Sequence, residues 1–374
     1  MLKAADRAGE MLAFLDRTGW GAATITPLAG DASTRRYARV AVNGHRAMVM
    51  DQPQNAEEPS CPPDATPDER RLLGYNAIAR LAGADCGRYI AAANFLRAQG
   101  LSAPDIYAAD TAKGFVLIED LGDDVFATAL AQGKDELALY GAAVDALVRV
   151  QTEPAPSLLP PDKPLYRYDE TALLAEVDLM TEWFVPMALG RAAHAEEVSE
   201  HRSLWRDTLR FTFAAPPVFV HRDYHAQNLI WLPERDGTAR VGVIDFQDAV
   251  AGTRSYDLIS LIEDARRDVP AEIGEAMTRR YLHAMHAHGS KVDPEAYRAE
   301  MAVMAAQRNA KIAGIFARLY RRDGKPRYLG YLPRVWGYIG RDLEHPALAP
   351  LKAWYARVIP EAVRTAPLVK ELDR

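Results

Sequence analysis

Residues 221–248 read HRDYHAQNLIWLPERDGTARVGVIDFQD. An HRD triplet is followed by an asparagine five residues after its aspartate, and a later apolar run ends in Asp245-Phe246-Gln247. LIWL and RVGVIDF have the composition of two short strands, and Asp236-Gly237 between them is a turn dipeptide. A hairpin of that kind draws its two ends, Asn228 and Asp245, together. Asn228 offers an amide carbonyl and Asp245 a carboxylate, oxygen ligands of the type Mg²⁺ takes beside phosphate oxygens and water. Asp223 is placed to position an acceptor hydroxyl and accept its proton. The combination suits phosphoryl transfer, which asks a protein mainly to position the acceptor, hold a metal on the triphosphate and stabilise charge.

Working outward, 374 residues with 49% apolar and 26% charged content make a folded, enzyme-sized body with room for two lobes. A net charge of −6 argues against general nucleic-acid binding, which relies on clustered positive charge. Cys61 and Cys86 lie in one polar segment and read as reduced thiols, not as a disulfide framework or a metal site. No secretory leader and no apolar span of bilayer length is visible, so a cytoplasmic location without membrane association is expected. Nothing in the sequence marks an obligate protein partner.

Taken in order, residues 2–18 carry an amphipathic helical pattern. Gly30-Asp31-Ala32-Ser33 reads as a turn leading to a strand over 37–42, either an ordinary hairpin turn or one whose backbone N–H groups approach an anion. A strand is expected over 45–53, a Pro-rich acidic insertion over 51–87, a helix over 88–100, and two strands flanking Lys113-Gly114. From Ala127 onward helical periodicity dominates. Glu182-Trp183-Phe184 is either helix packing or an aromatic and carboxylate pair able to hold a sugar. Asp257 is placed to cap a helix and accept hydrogen bonds from the catalytic loop. Arg308, Lys311, Ile315, Arg318 and Arg322 fall near one helical face, a basic stripe in an acidic chain that suits an anionic acceptor.

The spacing of HRD, Asn228 and DFQ resembles the catalytic loop and metal-binding aspartate of protein kinases. VFVHRDYHAQNLIW and VGVIDFQDAVAGTRSYDLISL are more similar to the aminoglycoside phosphotransferase and choline kinase group. GDASTRRYARV, AMVMDQP, LIEDLGDD, EWF and QRNAKIAGIFARLYRRDGKPRYL extend the resemblance, nearly end to end, to bacterial anomeric kinases of N-acetylmuramate and N-acetylglucosamine in peptidoglycan recycling. That resemblance implies an α+β, bilobal, protein-kinase-like fold. It has a small β-rich lobe over 1–121, with 51–87 inserted, and a larger, mainly helical catalytic and acceptor-binding lobe over 122–374. It also implies ATP and Mg²⁺ as cofactors and phosphorylation of the sugar C1 hydroxyl.

Residue by residue, the resemblance makes Asp223 the base and Asn228 and Asp245 the metal ligands. His221 and Asp257 become structural supports of the loop. Gly30, Ser33, Arg35 and Arg36 would contact nucleotide phosphates, and main-chain groups at Glu119 and Leu121 the adenine edge. Glu182, Trp183, His225, Gln247, Asp248, Arg308 and Lys311 become candidate sugar contacts, the two cations facing a lactyl carboxylate. One departure stands out: Met50 occupies the slot of the phosphate-binding lysine, and Ala92 or Asn94 that of its glutamate partner. Arg35 or Arg36 would then supply the missing charge. Two other readings stay open: a kinase for an aminoglycoside, choline or other small alcohol, and a nucleotide-binding pseudokinase.

Overall fold

A computed structural model describes residues 2–29, 34–54 and 58–365. Gly30 and Ser33 lie outside the described residues. Two compact units emerge, each discontinuous in sequence: Met1–Asp135 with Pro156–Tyr166 and Ala226–Ala249, and Glu136–Ala155 with Arg167–His225 and Val250–Arg374. The single cut expected at residue 121 is a different partition, because the 226–249 segment clusters with the first unit.

The first unit is built on an antiparallel sheet of β1 (Thr24–Pro27), β2 (Arg36–Val42), β3 (His45–Asp51), β4 (Ile106–Asp110) and β5 (Phe115–Ile118), in the order β1-β2-β3-β5-β4. Asn43-Gly44, both at positive φ, close the β2–β3 hairpin, a dipeptide suited to the tight turn that matches strand twist. Alternation then turns Ala38, Val40, Ala47, Val49, Phe115 and Leu117 to one face, where Phe14 and Leu15 of the helix Leu2–Arg17 cover them. A short ribbon, Leu229–Trp231 paired antiparallel with Val241–Val243, forms the hairpin expected around Asp236-Gly237. Its flanks are tied by Val243 N–H to Ser102 O at 2.9 Å and Trp231 N–H to Asp124 O at 2.8 Å. The 51–87 segment is anchored as well. Asp248 Oδ1 accepts the Ala82 N–H at 2.6 Å, Cys61 O accepts the Tyr166 hydroxyl at 2.6 Å, and Arg88 donates to Arg80 O and Ala249 O.

The second unit is mostly helical around Pro294–Asp323, a 30-residue helix. Asp293 caps its start by accepting the Ala296 N–H, Pro294 occupies the first turn where its missing N–H costs nothing, and Gly324 at φ +63 ends it. The helix packs along Glu170–Leu179, which continues into a π-helical turn, Met180–Phe184. Trp205, Trp354, Tyr355, Phe184 and Trp336 fill the same core. A second ribbon, Val218–Val220 with Val250–Gly252, leads into the HRD triplet. Among the described residues, no helix is long and apolar enough to cross a membrane.

Close approach of the two helices depends on Gly314, where an added Cβ would meet the Leu179 backbone at 2.6 and 2.7 Å. Gly314→Ala should cost roughly 1–3 kcal/mol through forced separation of the pair, read as a lower urea midpoint at an unchanged slope. An unaltered midpoint would mean that the helices part freely there.

Candidate active site

The catalytic loop is fixed first through its backbone. Strand Val218–Val220 delivers His221 and Arg222 to the start of the helix Ser255–Ile262, whose Asp257 accepts the His221 N–H at 2.7 Å and the Arg222 N–H at 2.9 Å. Both carboxylate oxygens of Asp257 are thereby committed. Burial pushes the Asp257 carboxyl up to about 6 against the opposing pull of His221 and these N–H groups. The Asp223 N–H donates to His221 Nδ1 at 3.2 Å.

Arg222 adopts φ +78, a left-handed conformation costly for any residue but glycine, on the order of 1–3 kcal/mol. Its side chain explains how that conformation is held. The guanidinium is buried, lies over the Tyr168 ring with 4.7 Å to the centroid, and donates to Glu176. Glu176 is itself fully buried and also receives the Tyr168 hydroxyl, Gln307 Nε2 at 3.0 Å and Lys311 Nζ at 3.2 Å. Lys311 in turn donates to the Tyr256 hydroxyl at 3.2 Å.

Arg222 and Lys311 are two cations bonded to one buried anion, so the cluster keeps a surplus of positive charge. Half-buried Asp223 sits in that field. Burial alone would raise its carboxyl, but the attractions of Lys311, His225, Arg308 and Arg222 outweigh burial and hold it well below the usual carboxylate range. Asp223 is therefore an anion throughout the neutral range.

Beyond Asp223 the loop turns through His225, whose N–H donates to Asp223 O at 3.0 Å. Burial pulls the His225 imidazole down to about 4, with Asp264 opposing that shift and Arg266 reinforcing it. Arg266 Nη1 lies 3.1 Å from His225 Nε2. A guanidinium can only donate, so Nε2 accepts and the ring proton resides on Nδ1. The Asp264 carboxylate, 1% exposed, accepts the Arg266 backbone N–H at 2.8 Å. Asp264 and Arg266 belong to no recognisable motif. The only sequence signal for them is the dense charge of EDARRD immediately after an apolar helix.

In the first unit, the hairpin ladder runs one pair further: the Ile244 N–H donates to Asn228 O at 3.1 Å, which sets Asn228 and Asp245 at one end of the ribbon. Asp245 adopts φ +64, and its side chain, 46% exposed, accepts Gln247 Nε2 at 3.0 Å. Arg35 Nη1 stands 3.6 Å from Asp245 Oδ1, while Arg36 opens β2 with its side chain outward. Met50 is buried against Tyr37, whose hydroxyl lies 3.4 Å from its sulfur. Glu119 commits its N–H to Asp105 O and its carboxylate to Arg235, and Leu121 packs with Ile230 and Leu232. An amide and a carboxylate at one end of a ribbon fit Mg²⁺, which completes its shell with phosphate and water; among the described residues no cluster of three or more His, Cys, Asp or Glu offers a full protein cage.

The other expected contacts are engaged within their own units. Gln247 is buried on Asp245, and Asp248 is committed to Ala82. Arg308 is buried and donates to Ser260 Oγ at 2.8 Å and Glu263 O at 3.3 Å. Trp183 packs against the helical core, and Glu182 lines a 320 Å³ cavity with Asp178, Thr181 and Arg202. Among the described residues, no hydrogen bond or ion pair joins Glu182 or Trp183 to Asp223.

Residues 24–299 match the profile of the phosphotransferase enzyme family. The chain is 44% identical to the N-acetylmuramate/N-acetylglucosamine kinase of Caulobacter vibrioides, over 97% of its own length and 100% of that protein. It is 33% identical to the protein of the same name from Pseudomonas putida, over 89% and 88%. The microcompartment-associated aminopropanol kinase shares the kinase-like α+β fold at a TM-score of 0.53 and 14% identity, covering 90% of this chain and 94% of that one.

The charge cluster generates a measurable consequence. Lys311→Met removes the foremost attraction opposing burial of Asp223, so the carboxyl should move upward towards or beyond its ordinary value of about 3.9. In ¹³C-detected titrations of labelled aspartates, Asp223 should titrate below the others in the parent protein and rise in the variant. Identical midpoints would separate Lys311 from the state of Asp223.

Proposed function

The chain belongs to the phosphotransferase enzyme family, and from that premise we propose that it transfers the γ-phosphoryl group of ATP to the C1 hydroxyl of N-acetylmuramate and N-acetylglucosamine. The observation that carries this reading is Asp223, fixed as an anion at the end of a loop whose backbone is held by Asp257 and whose Arg222 is held by Glu176. Asp223 accepts a hydrogen bond from the sugar hydroxyl and aims its oxygen. An aspartate held so far below the usual range is a weak base towards a free alcohol. It therefore takes the proton late, as the oxygen–phosphorus bond forms and the hydroxyl becomes acidic, which suits the loose transition state of phosphoryl transfer.

Asn228 and Asp245 would hold Mg²⁺, which when bound neutralises charge on the phosphates. Arg35, beside Asp245, takes the role of the absent phosphate-binding lysine, while Met50 stays in the core. Main-chain groups at Glu119 and Leu121 receive the adenine edge, and the resemblance assigns phosphate contact to Gly30 and Ser33. We place the reaction in the cytoplasm, where ATP is available, as a step of peptidoglycan recycling.

Incubation with ATP, Mg²⁺ and either sugar should yield a sugar 1-phosphate by ³¹P NMR, and Asp223→Asn should lower kcat about a hundredfold or more. Turnover confined to choline or kanamycin, or near-parent activity of Asp223→Asn, would sink the assignment. Arg35→Ala should raise KM for ATP and cost roughly tenfold or more in kcat/KM, with a smaller loss in Arg36→Ala. The reverse ranking would transfer the phosphate role to Arg36.

A further inference from the structure

The segment Glu263–Asp268 follows the helix Ser255–Ile262 and carries two adjacent arginines with opposite fates. Arg267 is neutralised, with Nη1 2.7 Å from both Glu136 Oε1 and the Tyr140 hydroxyl. Asp268, next along, is matched by Arg334. Arg266 differs: among the described residues its guanidinium meets no carboxylate, and its one side-chain bond goes to His225 Nε2. The carboxylate bonded to this residue, Asp264, takes the backbone N–H instead. His225 is a neutral imidazole at physiological pH, so it orients the guanidinium without cancelling its charge.

Location supplies the rest. His225 belongs to the same turn as Asp223, so Arg266 lies one imidazole ring beyond the catalytic loop. The other nearby cations are less able to receive a ligand: Arg308 and Lys311 are 3% and 8% exposed, with donors on Ser260 and Glu263 and on Glu176 and Tyr256. Arg266 is half-buried, which leaves it reachable yet partly shielded from water. A planar guanidinium with free N–H edges in such a setting is matched by a carboxylate, through paired charge-assisted hydrogen bonds.

We propose that Arg266 is the carboxylate receptor of the acceptor site, holding the lactyl group of an acidic N-acyl amino sugar while Asp223 holds its anomeric hydroxyl. This rests on the sugar-kinase reading above and deepens it. Arg266 makes the carboxylate contact that the sequence suggested for Arg308 or Lys311, whose part is to set the charge around Asp223. Contact with the lactyl group is remote from the reacting oxygen, so it stabilises ground and transition states alike and registers in KM.

The experiment compares N-acetylmuramate, the methyl ester of its lactyl group and N-acetylglucosamine as acceptors for the parent enzyme, Arg266→Gln, Arg266→Lys and Arg308→Gln. The parent should prefer the acid to its ester by about 10- to 100-fold in kcat/KM. Arg266→Gln should erase most of that preference, chiefly through KM, and Arg266→Lys should restore part of it. A parent enzyme that treats acid and ester alike overturns the inference without any variant. So does an equal loss on all three acceptors in Arg266→Gln, which would make Arg266 a support for His225, or loss of the acid preference in Arg308→Gln alone. Failure of the parent on all three sugars overturns the kinase assignment itself, and the inference with it.

Discussion

Glu176 is the constraint on which the catalytic loop depends. Removing a carboxylate from water costs several kcal/mol even after the protein relaxes, and that cost is met only where several donors converge with good geometry. Arg222, Lys311, Tyr168 and Gln307 converge here, drawn from the catalytic loop, the long helix and the segment before Glu170. The bonds from Arg222, Lys311 and Gln307 join pieces far apart in sequence, while that from Tyr168 is local. The same set makes the left-handed Arg222 tolerable, because its buried guanidinium and its N–H on Asp257 leave the residue no less strained alternative that keeps both bonds. With two cations to one anion, the cluster does more than brace the loop: it supplies the field that keeps Asp223 ionised.

The first unit handles charge by relocation. A lysine at position 50 would place an ammonium group in a site that is 1% exposed, under Tyr37, with alanine at position 92 and no carboxylate on the helix Cys86–Ala98 to meet it. Methionine fills that space without a desolvation cost, and its flexible thioether accepts the Tyr37 hydroxyl. Positive charge reappears at Arg35, which lies before β2 and reaches Asp245 from a different direction. Loss of one member of a buried ion pair is strongly destabilising, whereas loss of both with apolar replacement is tolerated. The absence of both lysine and glutamate is therefore physically consistent, and does not by itself imply lost chemistry.

What could be read from sequence follows from which physics is local. Turn dipeptides and strand alternation are local, so the Asp236-Gly237 hairpin and the five-stranded sheet were legible, as was the helix at the N-terminal end. The placement of Asn228 and Asp245 at one end of that ribbon follows from the same hairpin. Helical periodicity correctly set Arg308 and Lys311 on one face but did not tell whether that face met water. Their enclosure depends on Glu176, Ser260 and Glu263, all remote in the chain. Arg266 was invisible for a related reason: its distinction is the lack of a carboxylate partner among the described residues, a property of three-dimensional neighbours that no spacing rule encodes. Discontinuity of the two units escaped notice because the 226–249 ribbon is held by Ser102 and Asp124, backbone bonds that no side chain announces.

A site that accepts both an acidic and a neutral sugar faces a conflict over its cation. A fully buried, unpaired arginine would favour the acid but penalise the neutral substrate by leaving a desolvated charge. An arginine paired to a protein carboxylate would be neutral to both, and indifferent to the lactyl group. Holding Arg266 half-exposed on a neutral imidazole lies between these limits: under the proposed role, the guanidinium would keep water with the neutral sugar and exchange it for the carboxylate of the acid. This works only while His225 remains unprotonated, since an imidazolium would lose its acceptor nitrogen and repel the guanidinium. Burial, which pulls His225 down to about 4, secures that condition across the neutral range. The burial that shields the loop from water thus also keeps Arg266 oriented and its charge available.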